Sequence, residues 1–130
     1  MVPSQRHVLA LNDSQEILFV LRALLEEEGY RVTSRSRLVK ELDEIREIAP
    51  DLIILDYMWP QEDAGWSTLQ LLRMDREIGA IPIILCTGAT REVEGISAQL
   101  SKMRVRVVIK PFDIDTLLGE VADALDPSTE

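Results

Sequence analysis

The sequence predicts an α/β fold in which a parallel β-sheet is covered by helices on both faces. Short apolar runs alternate along the chain with longer segments whose apolar residues recur at helical spacing. Two runs, Val8-Leu9-Ala10-Leu11 and Leu52-Ile53-Ile54-Leu55, contain no polar residue, which is typical of strands that are buried on both faces. The alternation occurs five times, so we expect five successive βα units.

The apolar runs determine where the strands are expected. Each run has the length of an ordinary strand in a globular domain. We predict the five strands at His7–Leu11, Tyr30–Ser34, Leu52–Asp56, Pro82–Cys86 and Val105–Ile109.

Five stripes of apolar residues at helical spacing predict the helices. Gly29 follows the first stripe and is typical of a helix C-terminus, and Pro50 stops the second. In chain order the stripes are Ile17–Leu25, Leu38–Ile48, Leu69–Ile78, Val93–Met103 and Ile114–Leu125.

The order of the strands follows from the connections between them. Right-handed crossovers leave a five-unit βα chain few arrangements, and the flavodoxin-like order 2-1-3-4-5 is the commonest at this length. We therefore predict a flavodoxin-like (βα)5 doubly wound sandwich. In that order the first and third strands are neighbours, and the crevice at their carboxyl ends is where open α/β sheets usually bind ligands.

Length and composition limit the classes of function. The 130 residues are expected to form one domain. Lys and Arg number 14 against 23 Asp and Glu, and the resulting charge of −9 repels nucleic acids and acidic membrane surfaces. No segment resembles a membrane span or a signal peptide. The lone Cys86 excludes an internal disulfide and favours a reducing, cytoplasmic location.

Polar residues follow four of the five predicted strands. Asn12-Asp13 follow the first, Asp56 ends the third, Thr87 follows the fourth and Lys110 follows the fifth. Because parallel strands end at the same edge of a sheet, we expect these side chains to lie around one pocket. His7, the only histidine, is expected at the start of the first strand, away from that pocket.

The polar residues at this edge suggest a metal site and a nucleophile. The carboxylates of Asp13 and Asp56 repel each other unless a cation lies between them, and Mg²⁺ prefers such oxygen ligands. Lys110 can pair with Asp56 or hold a phosphoryl oxygen. A carboxylate can also attack phosphorus and form an aspartyl phosphate, and Asp56 is our candidate for that role.

The chain resembles, over nearly its whole length, the receiver domain of two-component response regulators. The resemblance depends on Asn12-Asp13, Asp56, Thr87 and Lys110-Pro111-Phe112 in that order. It implies that a histidine kinase or a histidine phosphotransfer protein donates a phosphoryl group to Asp56. It also implies that Asp13, Asp56 and the main-chain carbonyl of Met58 hold Mg²⁺, while Asn12 reaches the metal through water.

The resemblance implies further roles. Lys110 would contact the phosphoryl group, Thr87 would swing toward it, and the Lys110-Pro111 peptide would be cis. The domain would be a regulatory phosphoacceptor that catalyses at most its own phosphorylation and dephosphorylation. It would change its binding to an unknown downstream protein and associate weakly with itself through the face of helix 4, strand 5 and helix 5. We expect residues 1–130 to be one such domain, with no output domain after Leu125.

Three positions depart from the family pattern. Asn12 stands where an acid is usual, which should weaken Mg²⁺ binding by roughly 1–2 kcal/mol. The loop of residues 57–65 is one residue longer, and its Trp59 is expected to pack against a neighbouring helix or to contact a partner. Val107 replaces the Tyr or Phe that often couples to the threonine, so the switch cannot operate in that form.

Other functions remain open at this point. Asp56 could serve only as a helix cap or as the ion-pair partner of Lys110. A pseudo-receiver, which regulates by contact without phosphorylation, would fit Asn12 and Val107. A haloacid-dehalogenase-like phosphatase needs its nucleophile after the first strand within Asp-x-Asp, but Asp56 follows the third strand and Met58 occupies the place of the second acid. A flavodoxin needs a phosphate-binding loop after Leu11, and the sequence has none.

Overall fold

The five predicted strands and five helices are present in the computed structural model, which describes residues 5–38, 41–57, 59, 64–88, 90–110 and 113–125. Of residues 90–93 and 97, only the main chain is described. The strands are β1 His7–Leu11, β2 Arg31–Arg35, β3 Leu52–Asp56, β4 Ile83–Thr87 and β5 Val105–Ile109. The helices are α1 Gln15–Glu27, α2 Leu42–Ile48, α3 Ala64–Met74, α4 Thr90–Lys102 and α5 Ile114–Leu125, with a 3₁₀ turn at Ile78–Ala80.

The sheet is parallel throughout and has the strand order β2-β1-β3-β4-β5. This confirms the predicted flavodoxin-like fold. Two strands lie one residue later than predicted. β2 begins after Tyr30, because the main-chain N–H of Tyr30 donates to the carbonyl of Leu25 and belongs to the turn that ends α1. β4 extends to Thr87, which pairs with Ile109.

Two helices have different bounds from their predicted apolar stripes. The third stripe was expected to run to Ile78, but α3 ends at Met74. A carboxylate oxygen of Asp75 accepts hydrogen bonds from the main-chain N–H groups of Glu77 and Ile78, and this cap starts the separate 3₁₀ turn. The second stripe was expected to start at Leu38, but α2 starts at Leu42.

The sheet separates two apolar cores. Every residue of β1, β3 and β4 is buried, and successive side chains alternate between the faces. On one face Val8, Ala10 and Ile54 pack with α1 and α5. On the opposite face Leu9, Ile53 and Leu55 pack with α2, α3 and α4. Burial on both faces explains why these three strands are almost free of polar residues.

The amino ends of the strands, here called the amino edge, carry a closed hydrogen-bond network. His7 is 6% exposed. One ring nitrogen lies 2.6 Å from the hydroxyl of Thr33, and the other lies 3.0 Å from the guanidinium of Arg31. The main-chain N–H of His7 donates to the carboxylate of Asp51, whose own N–H donates back to the carbonyl of His7. His7 thus lies at the start of β1, as predicted, and its ring is bonded on both sides.

Arg73, at the end of α3, clamps the same edge. Its guanidinium donates to the carbonyl oxygens of Gly79 and Ile81, before β4, at 2.9 and 2.7 Å. It also donates to the carbonyl of Met103, before β5, at 2.7 Å. One side chain therefore holds the segments that lead into two neighbouring strands.

None of the helices that the described ranges contain has the length and hydropathy needed to cross a bilayer.

Candidate functional site

The carboxyl ends of the strands, here called the carboxyl edge, carry the predicted site residues that lie within the described ranges. Asp56 is the last residue of β3 and Thr87 the last of β4, and they are 5% and 0% exposed. Lys110 directly follows β5, and its main-chain N–H donates to the carbonyl of Thr87 at 2.7 Å. Asp13 lies in the exposed connection between β1 and α1.

Asp56 and Lys110 form an ion pair although they are far apart in the chain. The Lys110 Nζ lies 2.6 Å from Oδ1 of Asp56. The Asp56 side chain is only 6% exposed, whereas the Lys110 side chain is 30% exposed. The carboxylate is therefore almost completely buried, whereas the lysine side chain keeps part of its surface exposed.

Burial raises the pKa of Asp56 above its ordinary value. The hydrogen bond and positive charge of Lys110 act in the opposite direction, and the negative charge of Asp13 raises the pKa further. The Asp13 carboxylate is thus close enough to repel that of Asp56. Two neighbouring carboxylates favour a bound cation, and Lys110 already supplies one positive charge to Asp56.

Asn12 follows β1 at the carboxyl edge, and its side chain is engaged in local structure. It is 4% exposed, and its Oδ1 accepts a hydrogen bond from the main-chain N–H of Ser14 at 2.8 Å. Ser14 is the N-cap of α1, and its hydroxyl accepts from the N–H of Ile17. The Asn12 carboxamide therefore stabilises the start of α1, and its approach to a metal through water stays a prediction.

The end of β4 lies next to Lys110. Thr87 is fully buried, and the exposed Gly88 follows it. A Cβ added at Gly88 would meet the Cβ of Lys110 at 3.9 Å, an ordinary contact distance. A small side chain at position 88 would therefore fit without displacing Lys110.

The donors described at this edge fit Mg²⁺. Across the described residues there is no group of three or more His, Cys, Asp or Glu side chains that could hold a metal. Two carboxylates, Asp13 and Asp56, are the acidic ligands available here, and Mg²⁺ commonly takes one or two carboxylates together with water and phosphate oxygens. The predicted third ligand, the carbonyl of Met58, and the Lys110-Pro111 peptide both involve residues outside the described ranges.

Trp59 is a feature of the site that sequence reasoning missed. Its indole Nε1–H donates to the main-chain carbonyl oxygen of Asp56 at 2.6 Å. The partly buried ring packs against the core on the α2, α3 and α4 side of the sheet, as does that of Trp66. The ring thus packs on the core. Its packing against a particular helix, or its contact with a partner, stays a prediction. An aromatic residue in a loop carries no signal that names its hydrogen-bond acceptor.

The first turn of α3 approaches the end of β3 closely. Gly65 is buried, and a Cβ at this position would overlap the main-chain carbonyl of Tyr57. Any larger residue at position 65 would have to displace the backbone that follows Asp56 or shift α3 itself. The loop geometry next to Asp56 therefore depends on a glycine here.

Comparison with known proteins agrees with this geometry. The family model of the response regulator receiver domain matches residues 8–122. The transcriptional regulatory proteins YkoG of Bacillus subtilis and KdpE of Escherichia coli are each 34% identical, and each alignment covers 92% of this chain. The chain spans about half their length, with 50% and 51% covered. Protein PilH of Pseudomonas aeruginosa is 29% identical, and the alignment covers 88% of this chain and 93% of PilH.

Solved structures show the same fold. The chemotaxis response regulator CheY4 of Vibrio cholerae superposes with a TM-score of 0.79 at 25% identity, covering 94% of this chain and 100% of CheY4. A two-component response regulator from Clostridium difficile, 21% identical, has a TM-score of 0.80 and covers 97% of this chain and 100% of its own.

Proposed function

The chain belongs to the response regulator receiver domain family, and we propose that it is a signalling module in which Asp56 accepts a phosphoryl group. The observation that carries the proposal is the buried Asp56 carboxylate, paired with Lys110 at 2.6 Å and close to the charge of Asp13. We propose a histidine kinase or a histidine phosphotransfer protein as the donor. The Asp56 side chain is 6% exposed and ends β3 at the carboxyl edge, so the donor would approach from this edge, where Asp13 is exposed.

The transfer step follows from the chemistry of these groups. A carboxylate oxygen of Asp56 attacks the phosphorus, the O–P bond forms, and the N–P bond to the donor histidine breaks. Lys110 neutralises charge on the transferring oxygens, since its ammonium group already lies on the acceptor carboxylate. Asp13, Asp56 and the carbonyl of Met58 would hold Mg²⁺, which supplies further charge neutralisation when it is bound.

We assign the response of the domain to Thr87 and its surroundings. The Thr87 hydroxyl would contact the phosphoryl oxygens, and Gly88 leaves space for that contact. Val107, which is half-buried on β5, has no phenol or benzyl ring to move with Thr87. We therefore propose that the change is transmitted through the segment after β4 and through α4 to a downstream protein.

We propose that the face formed by α4, β5 and α5 is also used for weak self-association. This face includes Ile109, 42% exposed, on the edge strand β5. The net charge of −9 argues against direct binding to nucleic acid or to a membrane surface. Cys86 is buried and free, which is consistent with the cytoplasmic location that we propose.

The decisive experiment is phosphorylation by a small donor. We expect purified protein incubated with acetyl phosphate and Mg²⁺ to gain one phosphoryl group by intact mass, and Asp56→Asn to gain none. Asp51→Asn is the matched control, because Asp51 flanks the same strand at the amino edge and should leave the adduct unchanged. If the natural protein takes no adduct, or Asp56→Asn still does, the phosphoacceptor role is wrong and regulation by contact alone becomes the better account.

The role of Mg²⁺ is tested at Asn12. We expect Asn12→Asp to bind Mg²⁺ more tightly by about 1–2 kcal/mol, because a second acid next to Asp13 adds attraction for the cation. The Asp carboxylate can still accept from the N–H of Ser14, so the start of α1 should be retained. Isothermal titration calorimetry measures the difference, and equal or tighter binding by the natural protein would contradict it.

A further inference from the structure

We propose that Trp59 is a positioning residue for the phosphoacceptor, acting through its indole N–H on the main chain of Asp56. This inference rests on the proposed function of Asp56. The two ends of Asp56 are then held by two different side chains. Lys110 holds the carboxylate at 2.6 Å, and Trp59 holds the carbonyl at 2.6 Å.

The Asp56 carbonyl lies just beyond the last residue pair between β1 and β3. Alternate residues of a strand direct their main-chain groups to opposite neighbours. The N–H groups of Ile53 and Tyr57 donate to β4, so the main-chain groups of Asp56 face β1. The last β1–β3 pair is Leu11 with Leu55, and the Asp56 carbonyl is one residue beyond it.

The indole is suited to this position for two reasons. A partly buried Trp N–H needs an acceptor, and a buried carbonyl at a strand end needs a donor, so one bond satisfies both groups. The ring is also packed against the core, which fixes the direction of the N–H. A rigid donor of this kind holds the acceptor more firmly than solvent would.

The bond has a consequence for the site because the carbonyl and the carboxylate leave the same Cα. Fixing the carbonyl limits the backbone rotation at Asp56, and with it the direction in which the chain leaves β3. Trp59 therefore restricts the backbone from which the Asp56 carboxylate, a proposed metal ligand, extends.

The test compares two tryptophan substitutions. Trp59→Phe keeps an aromatic ring and removes the N–H, while Trp66→Phe removes an indole that packs on the same core. We expect Trp59→Phe to weaken Mg²⁺ binding about threefold to tenfold, the range that corresponds to one net hydrogen bond, and Trp66→Phe to leave it unchanged. Calorimetry measures the affinity. Adduct formation from acetyl phosphate should slow in Trp59→Phe at limiting Mg²⁺ and recover at saturating Mg²⁺.

A spectroscopic measurement covers the case in which Trp59→Phe does not fold. In Trp66→Phe the only indole left is Trp59, and we expect its emission to change saturably as Mg²⁺ is added. A folded Trp59→Phe protein with unchanged Mg²⁺ affinity, or a Trp59 emission that is insensitive to saturating Mg²⁺, would overturn the inference while the phosphoacceptor role stands. If the natural protein neither binds Mg²⁺ nor takes the phosphoryl group, both proposals are wrong.

Discussion

The amino edge and the carboxyl edge of the sheet bury polar groups to the same degree but compensate them differently. His7 at the amino edge is 6% exposed, and Asp56 at the carboxyl edge is 5% exposed. Both ring nitrogens of His7 have hydrogen-bond partners, and its main chain exchanges two bonds with Asp51. At Asp56, burial raises the pKa by more than the hydrogen bond and charge of Lys110 lower it, so the pKa is above its ordinary value.

This difference in hydrogen-bonding and charge compensation suggests that the amino edge contributes to stability and the carboxyl edge to function. A network whose donors and acceptors are all matched has little to gain from a ligand. A carboxylate that is buried away from water, and only partly stabilised by a lysine, gains from binding a cation or from forming a covalent bond. Incomplete compensation of this kind is typical of functional sites, and it costs stability.

The largest expected effect comes from breaking the clamp at the amino edge. Arg73→Met removes the donors to the carbonyl oxygens of Gly79, Ile81 and Met103. We expect the free energy of unfolding to fall by about 3 kcal/mol, since three partly buried acceptors lose their donors and a fully buried unpaired acceptor costs about 1–3 kcal/mol. Urea unfolding at pH 7 measures the loss.

The exposed Arg76, three residues further along the chain, provides the matched control for Arg73. Arg76→Met should change stability by less than about 0.5 kcal/mol. Equal losses in the two variants would show that the amino edge does not depend on the clamp.

A second substitution, at Gly65, introduces a steric clash next to the carboxyl edge. Gly65→Ala places a Cβ against the main-chain carbonyl of Tyr57, so we expect a loss of about 1–3 kcal/mol and slower adduct formation at the neighbouring Asp56. In the control Gly119→Ala the added Cβ meets no atom within 4 Å, and α5 should gain about 0.5–1 kcal/mol. If both variants gain stability, the close approach at Gly65 is not a constraint.

Removing the buried carboxylate should stabilise the protein. The folded-state pKa of Asp56 is raised above the unfolded value of about 3.9, so the folded protein binds the proton more tightly. The free energy of unfolding therefore falls as the pH rises through the interval between those two pKa values. In Asp56→Asn the free energy of unfolding should not decrease in this way. The variant should therefore be more stable than the natural protein at pH 7, by a gain on the order of 1 kcal/mol.

The control for this prediction is Asp51→Asn at the amino edge, where the carboxylate accepts from the N–H of His7. We expect no gain in stability from that substitution. The free energies of unfolding of the natural protein, Asp56→Asn and Asp51→Asn, measured from pH 4 to pH 7 in steps of about one pH unit, would show whether only Asp56→Asn gains stability. A less stable Asp56→Asn would contradict our account of the carboxyl edge.

The smallest expected effect is the pH dependence contributed by His7. Burial and the charge of Arg31 lower the pKa of His7, against opposing contributions from the Ile48 main chain and Asp51. The unfolded chain then takes up a proton at a higher pH than the folded protein. Stability is therefore lost as the pH falls below about 6.5 toward the lowered pKa. We expect His7→Gln to lack this loss, and an identical pH profile in natural and variant protein would contradict it.

Much of the fold could be predicted because the signals for it are local. The uninterrupted apolar runs of β1 and β3 predict strands buried on both faces, and their bounds were predicted correctly. The end of α3 was missed because it depends on how Asp75 caps the next turn, and the apolar period continues past that point to Ile78. The start of β2 was missed because Tyr30 is bound in the turn after α1.

The sequence by itself determined the strand order and the set of polar residues at the strand ends, because apolar period and crossover handedness depend on neighbouring residues and on general rules. Only the tertiary structure decided how those residues are coupled. The Lys110–Asp56 pair, the Trp59 bond to the Asp56 carbonyl and the raised pKa of Asp56 all depend on burial and on side-chain distances that packing sets. Composition and spacing along the chain do not contain those distances.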